Sequence, residues 1–419
     1  MKNPLKKKYE VVIVGGGPAG LAAALGAREA GAEHILVIDR EIEAGGILNQ
    51  CIHSGFGLHY FKEELTGPEY AERFVHNALF ANVDILTDSY VIDISSDLRL
   101  EVISGHYGHL NLKAKAVVLA MGCRERTRGA IRTPGFRPAG VMTAGLAQKM
   151  VNMKGLLPGR RIAILGSGDI GLIMARRLVL EGCDVVGVYE LSPYSSGLTR
   201  NVVQCLDDFN IPLHTSSTVA FIHGRNRVER LTIAPVNNQR VPDLSQSWDI
   251  DCDTLLLSIG LIPENELSTK LRLRMDHATG GPQVSSTLET SLPGVFACGN
   301  VLHVHDIVDF VSEESLRAGR YAAELAVGMR RPGDNIALQA GENIASCVPH
   351  SLSPDREQII YLRVKQPMQN CILTIGDRYE KTFRMLIPAE MIRLTLSPEV
   401  LDHYFGDNLK IDVHLQEVA

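Results

Sequence analysis

The chain has 419 residues, a formal net charge of −6 and a hydrophobic fraction of 45%. This length predicts two or three domains of about 150 residues each, and the acidic balance argues against a nucleic-acid-binding protein. No apolar run approaches the roughly 18 residues that a membrane helix needs, so we expect no membrane span and a cytoplasmic location.

The first element pattern is a strand, a glycine-rich turn and a helix. The β-branched run Val11–Val14 predicts a buried strand, and LAAALGAREA after the turn predicts a helix. The turn reads Gly15-x-Gly17-x-x-Gly20. Its three glycines serve the tight bend, the close approach of a pyrophosphate and the packing of the helix on the strand.

A second strand, HILVID, ends in Asp39, which lies 19 positions after Gly20. An acid at an offset of about 20 residues is expected to bind a ribose hydroxyl. We therefore predict a dinucleotide site here. The alternative is a glycine-rich turn that binds no ligand.

The next segment contains a loop and several short elements. Paired glycines, Gly45 and Gly46, open a loop with little side-chain bulk that suits close approach to a ligand. Residues 66–82 predict a helix, residues 83–94 predict strand structure, and Leu110–Lys113 predicts another strand. The apolar run 114–122 predicts a separate strand that ends the first half of this domain.

Residues 123–160 have the character of a crossing segment that is rich in arginine at its start. Either these arginines guide an anionic substrate or nicotinamide phosphates, or they form ion pairs between domains. They are Arg124, Arg126, Arg128 and Arg132.

The nucleotide pattern then restarts. Arg161–Leu165 predicts a strand, and Gly166-Ser-Gly168-Asp-Ile-Gly171 is a second glycine motif followed by a helix. The next strand ends at Glu190, again 19 positions after the last glycine. The repeated offset indicates an internal duplication of function.

The end of the chain changes in composition. PGVFACGN (293–300) and a helix from about Ser312 to Val327 return to the nucleotide-domain pattern. After Arg331–Asp334, residues 338–419 contain short β-like runs separated by turns. They predict a small, mostly β appendage.

Two dinucleotide folds in one chain favour a flavin in the first and a nicotinamide nucleotide in the second. A carboxylate at Glu190 would bind a ribose 2′-hydroxyl and repel a 2′-phosphate, so NAD(H) is favoured over NADP(H). Arg200, ten residues further on, is the feature that would instead accommodate a phosphate.

The motif order resembles the two-dinucleotide-binding-domain flavoproteins of the glutathione reductase and thioredoxin reductase superfamily. The matching motifs, in order, are VVIVGGGPAG…VID, AVVLAMG, GSGDIG…VYE, LLLSIGLIPE and LPGVFACGN. The resemblance implies an α/β fold with two Rossmann-like domains, the NAD domain being inserted in a split FAD domain, and a small mostly β C-terminal domain. The implied boundaries are 1–125 and 268–335 for FAD, 126–267 for NAD(P) and 336–419 for the β domain.

The motifs and the resemblance give two sets of expected cofactor contacts. The residues expected to bind FAD are Gly15, Gly17, Pro18, Ala19, Gly20, Asp39, Arg40, Gly45, Gly46, Gln50, Val91, Ala120, Gly122, Gly299, Asn300 and Ser312. The residues expected to bind NAD are Gly166, Gly168, Asp169, Ile170, Gly171, Glu190 and Gly260. Asn300 departs from the usual Gly-Asp ending of the late motif, although an amide also hydrogen-bonds a ribityl hydroxyl.

The cysteines depart from the disulfide-reducing members of the superfamily. None of the eight forms a CxxC pair, and Leu48 and His53 stand where a redox pair would follow the paired glycines. A dithiol relay of that kind is therefore not expected. Cys51 is a single thiol in this loop, and we interpret it as a packing residue.

A closer resemblance lies with flavoprotein subunits of multi-subunit enzymes. GGILNQCIH, GCRERTRG, PGFRPAGVMTAGLAQ and CGNVLHVHDIVDFVSEES are similar to those of opine oxidase, hydrogen cyanide synthase and the system associated with anaerobic glycerol-3-phosphate dehydrogenase. This resemblance implies a partner subunit, either a substrate dehydrogenase or an iron–sulfur protein.

Candidate catalytic residues are His53, His303 and His305. His303-Val-His305-Asp306, with Asp309, precedes the helix expected near Ser312, whose N-terminal dipole the resemblance directs at the flavin. Either histidine would act as an acid or base, or the loop would simply shape the flavin pocket. We predict no metal site, because the HxHD run lacks further ligands that the sequence can place.

The sequence thus predicts an FAD-dependent NAD(P)H oxidoreductase that exchanges electrons with a partner subunit or acceptor. A direct FAD-dependent dehydrogenase or oxidase of a small amine, amino acid or hydroxy acid, with a silent or regulatory NAD site, is the alternative. A scaffold protein whose nucleotides are structural is a third hypothesis.

Overall fold

The computed structural model describes residues 5–329, 336–401 and 408–416. Their contacts divide the chain into two units: one comprises Met1–Cys123 with Pro263–Ala419, and the other comprises Arg124–Ile262. The divisions lie near the boundaries expected after residues 125 and 267, and the C-terminal β region groups with the first unit. The expected linker Arg331–Asp334 and the boundary after residue 335 lie outside the described residues.

The first unit begins with a nucleotide-domain pattern. Its elements are β1 (Lys8–Val14), α1 (Pro18–Glu29), β2 (Ile35–Ile38), a 3-10 turn (Gly46–Gln50), β3 (Ser54–Phe56), β4 (Leu65–Thr66), α2 (Gly67–Phe80), β5 (Asp84–Leu86), β6 (Ser89–Ile94), β7 (Arg99–Ser104) and β8 (Gly108–Leu119). The helix expected over residues 66–82 is present as α2, whose N-terminus is closed by a capping box between Thr66 and Glu69.

Strand β8 corrects the expectation of two strands between residues 110 and 122. It is continuous, but its two halves have different neighbours. Residues 108–113 pair antiparallel with β7, while residues 113–119 pair parallel with β1 and are mostly buried. The burial pattern changes where the partner changes, which is why the sequence pattern divides there.

The second unit contains the repeated pattern. Its elements are β9 (Cys123–Glu125), α3 (Arg128–Ile131), β10 (Val141–Thr143), α4 (Ala144–Lys154), β11 (Arg161–Leu165), α5 (Asp169–Leu180), β12 (Asp184–Tyr189), α6 (Thr199–Cys205), β13 (Leu213–His214), β14 (Ser217–His223), β15 (Arg230–Pro235), β16 (Trp248–Asp251), β17 (Thr254–Leu257) and β18 (Leu261–Pro263). Five strands form a parallel sheet in the order β10-β17-β11-β12-β13, and β14, β15 and β16 form an antiparallel sheet.

The chain then returns to the first unit. The remaining elements are α7 (Glu266–Lys270), β19 (Val295–Ala297), a 3-10 turn (Gly299–Val301), α8 (Val308–Ala326), β20 (Ile336–Ala340), β21 (Ile344–Val348), β22 (Ser351–Leu352), β23 (Gln358–Val364), β24 (Met368–Ile375), β25 (Tyr379–Leu386), β26 (Ile392–Leu396), α9 (Pro398–Leu401) and β27 (Asn408–Leu415). The helix expected from about Ser312 begins four residues earlier, at Val308.

The sheet of the first unit has the order β5-β2-β1-β8-β7-β6, and β19 also pairs with β8. β1 is parallel to β2 and to β8, so the carboxyl ends of these strands lie at one edge, where the first glycine turn follows β1. Helices α1 and α8 pack closely because a glycine of each helix lies against the backbone of the other. A Cβ on Gly319 would lie 1.8 Å from the Ala23 carbonyl oxygen.

The C-terminal β region has a core of its own. One sheet has the order β22-β20-β27-β24-β25, and a second has the order β21-β23-β26. Alternate residues of β24, including Cys371, Leu373 and Ile375, are buried in this core. The mostly β appendage expected from the sequence is confirmed.

Candidate functional site

The first glycine turn is held by backbone contacts on both sides. Gly15 has φ +110°, and a Cβ there would lie 2.3 Å from the carbonyl oxygen of Ala120. A Cβ on Gly20 would lie 1.7 Å from the Gly15 carbonyl oxygen. Only glycine fits such approaches, so the turn reaches α1 with no side chain over its N-terminal N–H groups. Pro18 and Ala19 begin this helix, and Gly17 caps it without a side-chain hydrogen bond.

Asp39 ties the end of β2 to this turn. Its carboxylate accepts hydrogen bonds from the backbone N–H of Gly16 and from that of Glu41, and it is buried. Burial raises the pKa of the Asp39 carboxyl above its ordinary value, against these two hydrogen bonds. The acid therefore orders the glycine turn before any ligand arrives.

A pocket opens beside Asp39 at the carboxyl end of the sheet. It has a volume of about 100 Å³ and brings together Gly15, Asp39, Arg40 and Val91 of the expected FAD contacts. Sequence reasoning missed the residues that complete it: Ser89, Tyr90, Met121, Glu264, Glu266 and Lys270. The last three come from the returning chain, so no local pattern could place them here.

The paired-glycine loop lies directly on the first turn. A Cβ on Gly46 would lie 2.9 Å from the Gly17 Cα, and the Gly45 N–H donates to the Gly16 carbonyl oxygen at 2.8 Å. Gln50 is buried at the end of the following 3-10 turn. These expected contacts thus join Gly17 in one cradle, while Gly122 has φ +72° and open space around it.

His53 lies on the same loop, with its ring 5.0 Å from that of Phe56. Cys51 is half-buried in this loop, and its thiol donates to the Ile47 carbonyl oxygen at 3.3 Å. Burial raises the pKa of the Cys51 thiol to about 12, so the thiolate is scarce at neutral pH. This agrees with a packing role.

The second glycine turn repeats the geometry of the first. Gly166 has φ +91°, and its Cβ would lie 2.1 Å from the Ser258 carbonyl oxygen. Ser258 was missed by sequence analysis. Its hydroxyl donates to the Gly168 carbonyl oxygen at 3.2 Å and accepts from the Gly171 N–H at 3.1 Å. Ser258 therefore connects the second and third glycines of the motif.

Glu190 occupies the position that Asp39 occupies in the first unit. Its buried carboxylate accepts from the Ser167 N–H at 2.9 Å and from the Ser167 hydroxyl at 2.6 Å. Ser167 is the middle residue of its turn, as Gly16 is of the first. The Ser192 N–H and the Ser196 hydroxyl also donate to Glu190, at 2.8 and 3.1 Å.

Other expected residues of the second site have structural partners. Asp169 accepts from the Leu198 N–H at 2.8 Å and from the Asn201 side chain at 2.6 Å, while Ile170 follows it on α5. Gly260 has φ +97°, and its carbonyl oxygen accepts from the Arg126 N–H at 3.0 Å.

The arginine segment is partly structural. The Arg128 guanidinium donates to the carbonyl oxygens of Phe136, Thr133 and Gly135 at 2.6, 3.1 and 3.4 Å. Arg132 has a left-handed backbone, with φ 52°, at the end of α3. The Arg128 side chain therefore stabilises the backbone of its own segment.

The late motif folds onto helix α8 in the first unit. The Gly299 N–H donates at 2.7 Å to Glu314, and the Asn300 side-chain oxygen accepts from the His305 N–H at 3.0 Å. A Cβ on Gly299 would lie 2.8 Å from the Ala19 Cβ. Gly299 therefore lies against the first helix, beside the first glycine turn.

The structure brings His303 and His305 together around a third residue, Glu314. The His303 Nε2 lies 2.7 Å from one carboxylate oxygen, and the His305 Nε2 lies 3.5 Å from the same oxygen. Burial by itself would raise the pKa of Glu314, but the two imidazoles outweigh it and the pKa lies below its ordinary value. A sequence pattern could not pair Glu314 with the loop, because nothing in its helix marks it as different from Glu313.

The early start of α8 assigns different roles to Asp309 and Ser312. Asp309 lies in the first helical turn, is buried, and accepts from the backbone N–H groups of Gly57 and Tyr60 at 3.2 and 2.9 Å. Ser312, expected at the helix N-terminus, is fully buried in the second turn and 2.8 Å from the Tyr70 hydroxyl.

The C-terminal β region contacts this loop. The Arg363 guanidinium pairs with Asp306 and donates to the Val304 carbonyl oxygen at 3.2 Å. The Tyr361 ring lies 5.5 Å from both His303 and His305. This part of the β region therefore covers the histidine loop.

The family follows from a match over most of the chain. The pyridine nucleotide-disulphide oxidoreductase family matches residues 9–324. The chain belongs to this family. Its members bind FAD and a pyridine nucleotide, and the chain is accordingly a flavoprotein oxidoreductase with Rossmann-like nucleotide-binding units.

Two curated relatives and one solved structure are similar to this chain. Hydrogen cyanide synthase subunit HcnB of Pseudomonas protegens is 26% identical over 76% of this chain and 70% of its own length. One opine oxidase subunit of Agrobacterium tumefaciens is 24% identical over 70% of this chain and 61% of its own. Thioredoxin reductase of T. acidophilum has the same fold, with a TM-score of 0.63 and 22% identity over 77% of this chain and all of that one.

The first unit fits the FAD that this family binds. The cradle of Gly15, Gly17 and Gly46 has no room for Cβ atoms at Gly15 and Gly46, and the N-terminus of α1 lacks a side-chain cap. Such a cradle suits a pyrophosphate.

Across the described ranges, no helix is both long and apolar enough to span a membrane.

Proposed function

We propose that this protein is an FAD-dependent oxidoreductase that passes electrons between NAD(H) and a partner subunit or other acceptor, without a protein dithiol. One observation supports it above the rest. Each of two separate units contains a glycine turn whose middle residue is held by a buried acid, Asp39 in one and Glu190 in the other. The first would hold FAD and the second NAD(H).

When bound, FAD supplies a ring that takes up a hydride equivalent from a nicotinamide and passes the electrons on. The chain's own residues position the nucleotides. Gly15, Gly17 and Gly46 admit the pyrophosphate, and Asp39 faces the pocket that would take the adenosine portion. Hydride transfer between two bound rings needs no protein acid or base, so His53, His303 and His305 would shape the site.

Glu190 supports NAD(H) over NADP(H). Its carboxylate is buried. A ribose 2′-phosphate at this position would be unfavourable because a carboxylate and a phosphate repel each other. Arg200 is exposed on α6 and is the residue that would favour a phosphate instead.

A dithiol relay has no support in the cysteines. None of the eight cysteines, all of which lie within the described ranges, forms a disulfide, and the high pKa of Cys51, about 12, makes its thiol a poor nucleophile. Electrons would therefore leave for a separate acceptor. The relatives named as subunits, of hydrogen cyanide synthase and opine oxidase, support a partner protein in that role.

The test is anaerobic absorbance of the purified protein at the flavin band, before and after NADH and then NADPH. We expect the band to bleach with NADH faster than with NADPH. An intact band in the presence of NADH would contradict the proposal. Protein without flavin would contradict the assignment of Gly15, Gly17, Gly20 and Asp39.

The alternative is a dehydrogenase that oxidises a small amine, amino acid or hydroxy acid directly. The buried pair His303 and His305 favours it, because such a reaction needs a proton acceptor. It predicts that the substrate alone bleaches the flavin and that NADH does not.

A further inference from the structure

The buried cluster of His303, His305 and Glu314 has the composition of a metal site. Its three ligand atoms, two imidazole nitrogens and one carboxylate oxygen, all lie within 4.8 Å of one another. Glu314 is fully buried, and the two histidines are 5% and 8% exposed. The cluster joins the loop after the late motif to helix α8.

The orientation of His305 gives the strongest evidence. Its Nδ1 lies 3.0 Å from the His303 carbonyl oxygen, and this hydrogen bond places the proton on Nδ1. In the neutral ring the Nε2 carries a lone pair; it has no hydrogen-bond partner and lies 3.5 Å from the Glu314 carboxylate oxygen. Such a lone pair facing a carboxylate is unfavourable unless a cation, either a metal ion or a proton, lies between the two.

The bond from Nδ1 to a backbone carbonyl is also the support that metal-binding histidines commonly have, because it fixes the tautomer and the ring direction. Glu314 has similar support: its other oxygen accepts from the Gly299 N–H at 2.7 Å. Ligands held in this way converge without rearrangement.

The charge of the cluster also supports a bound metal ion. A buried carboxylate is costly unless a positive charge accompanies it. The two arginines that the C-terminal β region brings nearby are already paired, Arg363 with Asp306 and Arg393 with Glu313. Among the described residues, the groups hydrogen-bonded to Glu314 are the Gly299 amide and the His303 imidazole. Neither brings a permanent charge.

We propose that His303, His305 and Glu314 bind one divalent transition-metal ion through His303 Nε2, His305 Nε2 and a Glu314 carboxylate oxygen. Two imidazoles and a carboxylate suit Zn²⁺, Fe²⁺ or Co²⁺ and leave a coordination position open. The ion would displace the proton that His303 shares with Glu314. It would fasten the loop carrying Asn300 to α8. This inference does not depend on the proposed electron transfer.

The experiment uses the full-length protein with its flavin. The purified protein is analysed for metals, stripped with a chelator, and titrated with Co²⁺ while absorbance is followed at wavelengths longer than the flavin band. Zn²⁺ is then added to displace the Co²⁺. We expect one equivalent of Co²⁺ per chain, with ligand-field bands that Zn²⁺ abolishes.

The matched variants are Glu314→Gln, which keeps the side-chain shape, and His109→Gln. His109 forms an exposed pair with Glu101 at 2.7 Å, the distance between His303 and Glu314, and is the surface control. Glu314→Gln should weaken Co²⁺ binding at least about 10-fold, since even the loss of a supporting residue costs that much. His109→Gln should bind like the wild type.

Two results would overturn the proposal. If the wild type binds neither Co²⁺ nor Zn²⁺, the cation in the cluster is a proton. If Co²⁺ binds equally to the wild type and to Glu314→Gln, the ion lies elsewhere. The wild-type titration needs no variant, so a folding defect in Glu314→Gln cannot hide the first result.

Discussion

Single residues determine how closely the two glycine turns approach their neighbours. The neighbours are backbone oxygens, from Gly15 and Ala120 in the first turn and from Ser258 in the second. Each of these residues directly follows a paired strand, and its backbone oxygen cannot rotate away as a side chain can. Each of these glycines therefore sets a distance between a strand and a helix.

Replacing Gly20 by alanine should destabilise the first unit and its cofactor site. The added methyl would lie 1.7 Å from the Gly15 carbonyl oxygen, and relieving that contact separates α1 from β1. Overpacking of this kind costs about 1–3 kcal/mol. We expect a lower Tm and less flavin per chain by absorbance. Gly129→Ala is the control, because its Cβ would come only within 3.7 Å of the Thr127 hydroxyl; equal effects of the two variants would contradict this account.

Replacing Glu190 by glutamine should reduce the preference for NADH over NADPH. The variant removes the negative charge and one of the two oxygens that accept from Ser167 and Ser192. Hydrogen bonds to charged groups contribute about 1.5–3 kcal/mol, or roughly tenfold or more in affinity. We expect kcat/KM for NADH to fall about tenfold and that for NADPH to fall less. Exposed Glu229→Gln in the same unit should leave both values unchanged.

Elements that depend on local pattern could be predicted from the sequence, and those that depend on distant contacts could not. The strands and helices of both glycine motifs follow from apolar runs and turn residues close in sequence. Helix α8 begins earlier than its pattern indicates, and its first turn includes Asp309, whose carboxylate accepts hydrogen bonds from the N–H groups of Gly57 and Tyr60, about 250 positions away. The pairing of Glu314 with His303 and the role of Ser258 are hidden for the same reason.

Asp309 should therefore contribute strongly to the anchoring of the first turn of α8. Asp309→Ala leaves the Gly57 and Tyr60 N–H groups without their acceptor and removes a favourable charge at a helix N-terminus. We expect a loss of about 2 kcal/mol, measured by urea unfolding. Asp309→Asn, which keeps an acceptor oxygen, should recover part of it. Glu72→Ala, on the exposed face of α2, is the control; an Asp309→Ala variant as stable as this control would rule out the anchoring role.

At the scale of the whole molecule, the chain assembles two nucleotide-binding units by interrupting one with the other. The returning segment supplies Glu264, Glu266 and Lys270 to the pocket beside Asp39, and the late motif brings Gly299 against the first helix. The first unit therefore needs both halves of its sequence. The second unit, residues 124–262, contains all of its expected contacts within one continuous stretch.

This arrangement predicts that the two sites can be disabled separately. In Gly171→Ala the added methyl would lie 2.6 Å from the Ser258 Cβ and disturb only the second glycine turn. The variant should keep a full complement of flavin, which dithionite still reduces, while NADH bleaches it far more slowly than in the wild type. Gly129→Ala, in the same unit, should be bleached normally.

Comparison of Gly171→Ala with Gly20→Ala tests which unit binds the flavin and which binds the nicotinamide nucleotide. That variant lies in the first unit and should lose flavin itself, so its remaining flavin-containing fraction should still be bleached by NADH at the wild-type rate. If Gly171→Ala instead loses flavin and Gly20→Ala retains it, the cofactors are assigned to the wrong units. If NADH bleaches Gly171→Ala at the wild-type rate, the nicotinamide nucleotide does not use the turn that Glu190 and Ser258 hold together, because the added methyl would lie 2.6 Å from the Ser258 Cβ and distort that turn.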